Sequence, residues 1–187
     1  MENLNRKFQE LINLFKSKNF VQAELLTKRM IESYPKNAFL YNFLGLVFTE
    51  LNKVNEAISI YNKGIKIDKN FSMFYNNLGT IYQSRKEYIK AKTFYKKAIK
   101  INKNFPEALN NMGNLYRTLN KEYNAIDFYK RAILVNPKFF PAYFNLGVTY
   151  KNIGDFKKAK VSLIESTKIN PRLYTAHRNL SEIIDYN

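Results

Sequence analysis

The segments YNNLGTIY from Tyr75, LNNMGNLY from Leu109 and YFNLGVTY from Tyr143 share one pattern, and each starts 34 residues after the one before. The same step leads back to YNFLGLVF from Tyr41 and forward to HRNLSEII from His177. Self-similarity at a fixed period of this length indicates a repeat architecture. We interpret residues 1–187 as a single array of five full repeats, 4–37, 38–71, 72–105, 106–139 and 140–173, followed by a capping or partial-repeat helix over 174–187.

Each repeat is predicted to form two amphipathic helices. In repeat 3 the apolar residues Phe74, Leu78 and Ile81 recur at helical spacing, and a second such series begins at Tyr88. Neither helix can cover its apolar face alone, so neighbouring repeats must stack to form a continuous core. The residues therefore predict an all-α fold of eleven helices, with Gly113 at a close helix crossing where a larger side chain would overpack.

The pattern resembles the tetratricopeptide repeat, and the resemblance covers nearly the whole chain. Repeat 4 has the family's small, aromatic and proline residues at Gly113, Tyr116, Ala125, Tyr129 and Pro137. Repeat 1 matches weakly, which is expected of a terminal repeat with one face in water. The resemblance implies a right-handed superhelical solenoid of helix-turn-helix repeats, in which the first helix of each repeat lines a concave groove.

Composition excludes several classes of chemistry. The 187 residues include no cysteine and one histidine, so disulfides, thiol nucleophiles and multi-histidine metal sites are excluded. His177 has no catalytic partner in the pattern, and the six glycines form no phosphate-binding loop. We therefore predict no enzyme activity, no cofactor and no metal. The start of the chain is not a signal peptide and no apolar stretch is long enough to cross a membrane, which favours a cytoplasmic protein.

The net charge of +16 raises the question of an anionic partner. The first helices of repeats 2 to 5 carry only three basic and two acidic residues, so the positive excess lies on the second helices and the turns. The aromatic residues are needed in the core rather than for stacking on bases, so we do not expect nucleic acid as the partner. Adhesion of this basic convex surface to nucleic acid or an anionic membrane remains an alternative hypothesis.

Asparagine recurs at the residues that the resemblance places in the groove. An amide offers donors and an acceptor, so it can bridge the C=O and N–H groups of an extended chain. The arrangement is similar to the asparagine ladder in the repeat domain of O-linked N-acetylglucosamine transferases. Two hypotheses stay open, namely contact with a partner's backbone and satisfaction of buried groups between repeats. The candidate peptide-binding residues are Asn42, Asn76, Asn77, Asn110, Asn111, Asn114, Asn145 and Asn179.

The beginning of the predicted groove is apolar instead. Phe8, Phe39, Phe43 and Leu46 fall on groove positions. Clustered exposed apolar residues indicate a peptide anchor pocket or self-association. The alternative is that the atypical first repeat turns these residues into the core.

These features predict a non-catalytic protein–protein interaction scaffold that binds an extended peptide or partner segment in the concave groove. A second hypothesis is that the array positions substrates for a larger enzyme. The ending AHRNLSEIIDY is similar to the point where bacterial arrays of this family pass into a sulfotransferase-like or glycosyltransferase-like domain.

Overall fold

The computed structural model describes residues 2–184, and within that range the chain has eleven α-helices and no strand. The predicted all-α fold and the predicted number of helices are confirmed. Met1 and residues 185–187, which include the end of the predicted last helix, lie outside the described range.

The helices come in pairs along the chain, and we call the first of each pair an A helix and the second a B helix. The A helices are α1 (Glu2–Lys16), α3 (Ala38–Glu50), α5 (Ser72–Ser84), α7 (Pro106–Thr118), α9 (Phe140–Asn152) and α11 (Tyr174–Ile184). The B helices are α2 (Phe20–Ser33), α4 (Val54–Ile67), α6 (Tyr88–Ile101), α8 (Glu122–Val135) and α10 (Phe156–Ile169).

The turn from each A helix to its B helix contains a residue in the left-handed backbone conformation. This residue is the fifteenth of each full repeat, with φ of 58° at Lys18, 57° at Asn52, 61° at Lys86, 53° at Asn120 and 80° at Gly154. The next residue then turns its N–H back onto the helix, as Lys53 does to the Phe48 carbonyl at 2.8 Å. This geometry satisfies a carbonyl that the end of a helix otherwise leaves unpaired.

In four of the five turns from a B helix to the next A helix, an Asp or Asn side chain closes the turn. The Asp68 carboxylate accepts a 2.8 Å hydrogen bond from the backbone N–H of Asn70, and the side-chain carbonyl of Asn136 accepts one of 3.0 Å from that of Lys138. Asn102 and Asn170 make the same bond. Short Asx turns of this kind reverse the chain without a proline, so repeats with and without proline have the same turn.

Helix packing divides the chain into two compact units, residues 1–85 and residues 86–187. In the N-terminal unit, α3 packs against α2, α4 and α5, and α1 packs against α2. Its core includes Leu11, Ala23, Met30, Leu40 and Val47. The atypical first repeat thus shares one core with the second.

The C-terminal unit contains α6 to α11. Within it α7 packs against α6, α8 and α9, α9 packs against α8 and α10, and α11 packs against α9 and α10. Its core includes Ala125, Tyr129, Leu146, Leu163 and Ile183. Each A helix therefore presents one face to the core and leaves another face for contacts along the array.

Candidate functional site

Asparagine amides join neighbouring A helices in both units. In the N-terminal unit, Asn77 Nδ2 on α5 donates a 2.9 Å hydrogen bond to Asn42 Oδ1 on α3. In the C-terminal unit, Asn145 Nδ2 on α9 donates a 2.9 Å bond to Asn110 Oδ1 on α7. In each pair the sixth residue of one repeat donates to the fifth residue of the preceding repeat. Asparagines at the candidate site therefore satisfy one another between repeats.

Burial separates the two members of each pair. The fifth residues Asn42, Asn76 and Asn110 are buried, with exposed fractions of 4%, 8% and 6%. A buried amide needs a hydrogen-bond partner, which explains the pairing. The fifth residues offer a partner little surface, so the predicted peptide contact depends on the sixth residues. The sixth residues Asn77, Asn111, Asn145 and Asn179 are all half-buried.

Pairing orients the half-buried amides without using all of their capacity. A primary amide has two N–H donors and a carbonyl with two lone pairs. Asn145 uses one N–H in its bond to Asn110. The bond holds the side chain in one orientation, so less side-chain entropy is lost when a partner binds. Such an amide is suited to bridging the N–H and C=O groups of an extended chain.

Asn114 has a second structural role. Its Oδ1 accepts a 2.8 Å hydrogen bond from the hydroxyl of Tyr129, which is fully buried. Burial raises the pKa of Tyr129 to about 12, and the nearby Arg117 guanidinium opposes the shift. Asn114 thus joins the two helices of repeat 4, α7 and α8, by a hydrogen bond.

Asn179 differs from Asn77 and Asn145 because its amide donates within its own helix and not to an asparagine of the preceding repeat. Its Oδ1 accepts from Lys151 Nζ at 2.9 Å, and its Nδ2 donates to the Thr175 carbonyl at 2.8 Å. Lys151 also pairs with Glu182, and this pairing lowers the pKa of the Glu182 carboxyl. Between repeat 5 and the last helix, an ion pair between lysine and glutamate therefore accompanies the hydrogen bond to the asparagine amide.

The apolar residues predicted for the groove separate into two groups. Phe39 is 39% exposed, and its ring packs edge-on against that of Phe8 with 5.4 Å between centroids. Leu46 is half-buried. The prediction that Phe43 is exposed in the groove is wrong, because this side chain is only 6% exposed. The ring of Phe15 on α1 covers it at 5.6 Å, which places Phe43 in the core.

Met73 belongs to the same surface but was not among the predicted residues. It is 43% exposed, and Asn42 Nδ2 lies 3.9 Å from its Sδ. The available signal was its place in the repeat, since Met73 and Phe39 are both second residues. We call Phe8, Phe39, Leu46, Met73 and Asn77 the N-terminal A face. We call Asn111, Asn114, Asn145 and Asn179 the C-terminal A face.

Residues suited to metal or acid–base chemistry are dispersed over the part of the chain that the structure describes. Among them, no group of three or more His, Cys, Asp or Glu side chains is placed to hold a metal ion. His177 is exposed, and its Nε2 lies 3.0 Å from the Pro171 carbonyl oxygen. Of the helices within residues 2–184, none combines the length and apolar character needed to span a membrane.

Repeated helix pairs with stacked A helices define a helical-repeat protein, and family models identify the class of repeat. A model described as tetratricopeptide repeat matches residues 72–105 and 106–139, which are the bounds of repeats 3 and 4. A second with that description matches 128–161, and one described as TPR repeat matches 45–86. Together they span 45–161, more than half of the chain. The chain belongs to the tetratricopeptide-repeat family.

Solved structures show the same fold. The crystal structure of MamA is 21% identical with a TM-score of 0.68, covering 87% of this chain and 95% of that one. YrrB, described as a TPR protein with an unusual peptide-binding site, is 21% identical with a TM-score of 0.65, covering 86% and 82%. TTC0263, a thermophilic TPR protein of Thermus thermophilus, is 15% identical with a TM-score of 0.80, covering 96% and 98%.

No curated protein matches the chain. The solved structures establish an all-α solenoid of tetratricopeptide repeats, and at these identities they establish the fold alone. Membership of this family supports a role in protein–protein interaction.

Proposed function

We propose that this chain is a non-catalytic interaction scaffold whose A faces bind an extended segment of a partner protein. The observation that carries the proposal is the N-terminal A face, where exposed apolar side chains lie beside an oriented amide pair. Phe39 and Met73 are 39% and 43% exposed, and Asn42 contacts both Met73 and Asn77.

The apolar part of this face suits a side-chain anchor. Phe8 on α1 and Phe39 on α3 pack edge-on, so the two rings hold each other in place and form one aromatic surface. Methionine adapts its shape to different apolar partners. A partner side chain placed here removes apolar surface from water on both sides of the contact, which is the main source of affinity at small interfaces.

The amides suit the backbone of the same segment. Asn77 and Asn145 are held by bonds to the preceding repeat, so their remaining hydrogen-bonding groups are oriented before a partner arrives. Backbone contacts carry little side-chain selectivity. We therefore expect the asparagines to add affinity without selectivity, and the apolar anchor to supply the selectivity together with most of the affinity.

The test begins with peptides selected from a displayed random library against the whole chain. Affinity is then measured by calorimetry for the wild type and for the double variant Phe39→Asp/Met73→Asp. Two charges in place of apolar contacts should weaken binding by about tenfold or more. The matched control is Val21→Asp/Leu25→Asp, because Val21 and Leu25 are 67% and 46% exposed on the B helix α2 of the same unit.

Two results would contradict the proposal. One is equal loss of affinity in the control and the double variant. The other is a pattern of peptide-induced amide shifts, in nuclear magnetic resonance spectra, confined to B helices. Peptide-free self-association that disappears in Phe39→Asp/Met73→Asp would instead assign the face to contact between copies. The predicted cytoplasmic location and the absence of a cofactor stay predictions.

A further inference from the structure

A cleft in the C-terminal unit lies between the B helices α8 and α10, above the A helix α9. Its volume is about 420 Å³, within the range of roughly 300–1,000 Å³ that ligand clefts occupy. Leu146, Tyr150 and Val161 give it an apolar floor and wall. Val161 is 64% exposed although it is apolar. None of these residues belongs to the C-terminal A face, so the cleft is a separate surface.

The rim of this cleft is positively charged. Lys130, Lys157 and Lys158 line it, and no carboxylate does. Lys158 Nζ is paired with Asp155 at 2.7 Å and lies 5.5 Å from the Tyr150 ring centroid. Among the described residues, Lys130 and Lys157 form no ion pair. Lys157 is near enough to Asp155 to help lower the pKa of that carboxyl, but since neither Lys130 nor Lys157 is in an ion pair with a described residue, both ammonium groups can contact an anionic ligand.

Acidic residues on the two helices do not neutralise the rim. Asp127 on α8 lies 3.8 Å from Arg131, and Glu165 on α10 lies 2.6 Å from Lys168. Both carboxylates are turned to partners on their own helix, one helical turn away. The rim therefore keeps a net positive charge that faces the solvent.

The equivalent cleft in the N-terminal unit shows that this charge is not a general property of the fold. That cleft lies between α2 and α4 above α3, with a volume of about 490 Å³. Its lining combines Lys28 and Lys63 with Glu32 and Glu56. The same place in the repeat is electrically balanced in one unit and purely basic in the other.

We propose that the cleft between α8 and α10 binds an acidic segment of a partner protein that carries one apolar side chain between carboxylates. The apolar side chain packs against Val161 and the Tyr150 ring, and the flanking carboxylates pair with Lys130 and Lys157. Charge complementarity favours an acidic segment, and the apolar floor favours a peptide over a nucleic-acid backbone or a lipid headgroup.

The first test uses a fluorescein-labelled peptide in which one leucine is flanked on each side by two glutamates. Binding to the whole chain is followed by fluorescence polarisation at low salt. Lys130→Gln/Lys157→Gln should weaken binding by about fivefold or more, since two ion pairs are lost. Lys138→Gln/Lys160→Gln removes the same charge from exposed lysines outside the cleft and should change affinity by less than about twofold.

A second pair of variants tests the apolar part. Val161→Glu places a like charge in the cleft and should reduce binding below detection, whereas Val21→Glu, at a residue 67% exposed on α2, should bind as the wild type does. Replacing the peptide's leucine with serine should weaken binding to the wild type. The proposal would be overturned if both lysine variants lost affinity equally, or if the serine peptide bound as tightly as the leucine peptide. Tighter binding of duplex DNA or anionic vesicles than of the peptide would overturn it as well.

Discussion

At the residue scale, the amide pairs show how a polar face is built into a helical stack. Asn110 is 6% exposed, yet its carbonyl is satisfied by Asn145 from the next A helix. The same arrangement joins Asn42 to Asn77. These side chains therefore contribute to stability and also shape the surface that a partner would contact.

Replacing Asn145 with alanine should lower the free energy of unfolding by about 1–3 kcal/mol, because the buried Asn110 carbonyl loses its donor. The better helix propensity of alanine offsets only about 0.7 kcal/mol of that loss. Urea denaturation measures the change. Asn124→Ala, at an exposed residue of α8, is the matched control and should leave stability unchanged or slightly higher. Equal behaviour of the two variants would contradict a structural role for the pair.

Two buried tyrosines at the same place in the repeat have different hydrogen bonding. The Tyr129 hydroxyl donates to Asn114, the ninth residue of repeat 4. The ninth residue of repeat 2 is Leu46, which cannot accept, and the buried Tyr61 hydroxyl has no partner in hydrogen-bond geometry, although the Thr49 and Asn77 side chains lie near it. Burial raises the pKa of Tyr61, and the nearby Thr49 and Asn77 side chains oppose that shift only in part.

Removing each hydroxyl should therefore have opposite consequences. Tyr129→Phe should lower the free energy of unfolding by about 0.5–1.5 kcal/mol through the lost hydrogen bond. Tyr61→Phe should leave it unchanged or raise it, because an unpaired hydroxyl is no longer buried. Each variant is the control for the other in a single denaturant series. A larger loss for Tyr61→Phe would show that its hydroxyl does have a partner.

The raised pKa of Tyr129 also predicts a dependence on pH. The pKa rises from 10.0 to about 12 on folding, so the folded state holds this proton more tightly than the unfolded state. The associated stability is fully present below pH 10 and is lost as the pH rises toward 12. Between pH 9 and pH 12 the wild type should lose about 2 kcal/mol more than Tyr129→Phe. Parallel pH profiles for the two proteins would contradict this prediction.

At the element scale, the A and B helices of one repeat approach closely where a glycine faces a large side chain. A Cβ built on Gly113 would lie 2.5 Å from Tyr129 Cε1, and one on Gly147 would lie 2.7 Å from Leu163 Cγ. A Cβ on Gly45 would collide with the Tyr61 ring. Each of these glycines is the eighth residue of its repeat, and each large side chain is the twenty-fourth. The eighth and twenty-fourth positions of the repeat therefore form one packing unit.

Gly113→Leu should destabilise the protein by about 2 kcal/mol or more, because the close-packed helix pair cannot take the added volume without moving apart. The melting temperature of the variant gives the first measurement. The specific check is the same substitution in a Tyr129→Ala background, where the ring no longer fills the space. In that background Gly113→Leu should destabilise the protein markedly less, since the effects of substitutions at contacting residues are not additive. Equal costs in both backgrounds would place the overpacking elsewhere.

At the scale of the whole molecule, charge is unevenly distributed along the chain. Residues 86–187 hold 19 of the 31 basic residues and eight of the 15 acidic ones, which gives +11 of the total charge of +16. The described ion pairs are mostly between exposed side chains, and such pairs stabilise little. Repulsion among the lysines is therefore the larger long-range effect.

Raising the NaCl concentration from about 20 to 300 mM should increase the melting temperature, because the Debye length falls from about 20 Å to below 8 Å. Lys96→Glu/Lys100→Glu on α6 reduces the net charge by four and should show a weaker dependence on salt. Sucrose at matched osmolality, which does not screen charge, is the control for the wild type. A melting temperature that falls with NaCl would mean that attractive ion pairs outweigh the repulsion.

The sequence by itself determined the helices, their number and the repeat, because all of these depend on residues close together in the chain. Hydrophobic spacing predicted the paired helices, and the recurring Gly and Tyr positions predicted which residues pack within a repeat. The left-handed residues at Lys18 and Lys86 were not predicted, since a lysine carries no local signal for that conformation.

Only the tertiary structure decided how the candidate surfaces are made. The Asn145–Asn110 bond joins residues 35 apart, and two periodic asparagines do not reveal whether they face each other or a partner. Phe43 was expected on the groove and is covered by Phe15, a contact that depends on the angle between α1 and α3. The basic cleft combines side chains from α8, α9 and α10, and its charge arises because lysines of α8 and α10 meet across the apolar side chains of α9. Local spacing specifies each helix and its faces, whereas helix packing decides which of those faces remain available.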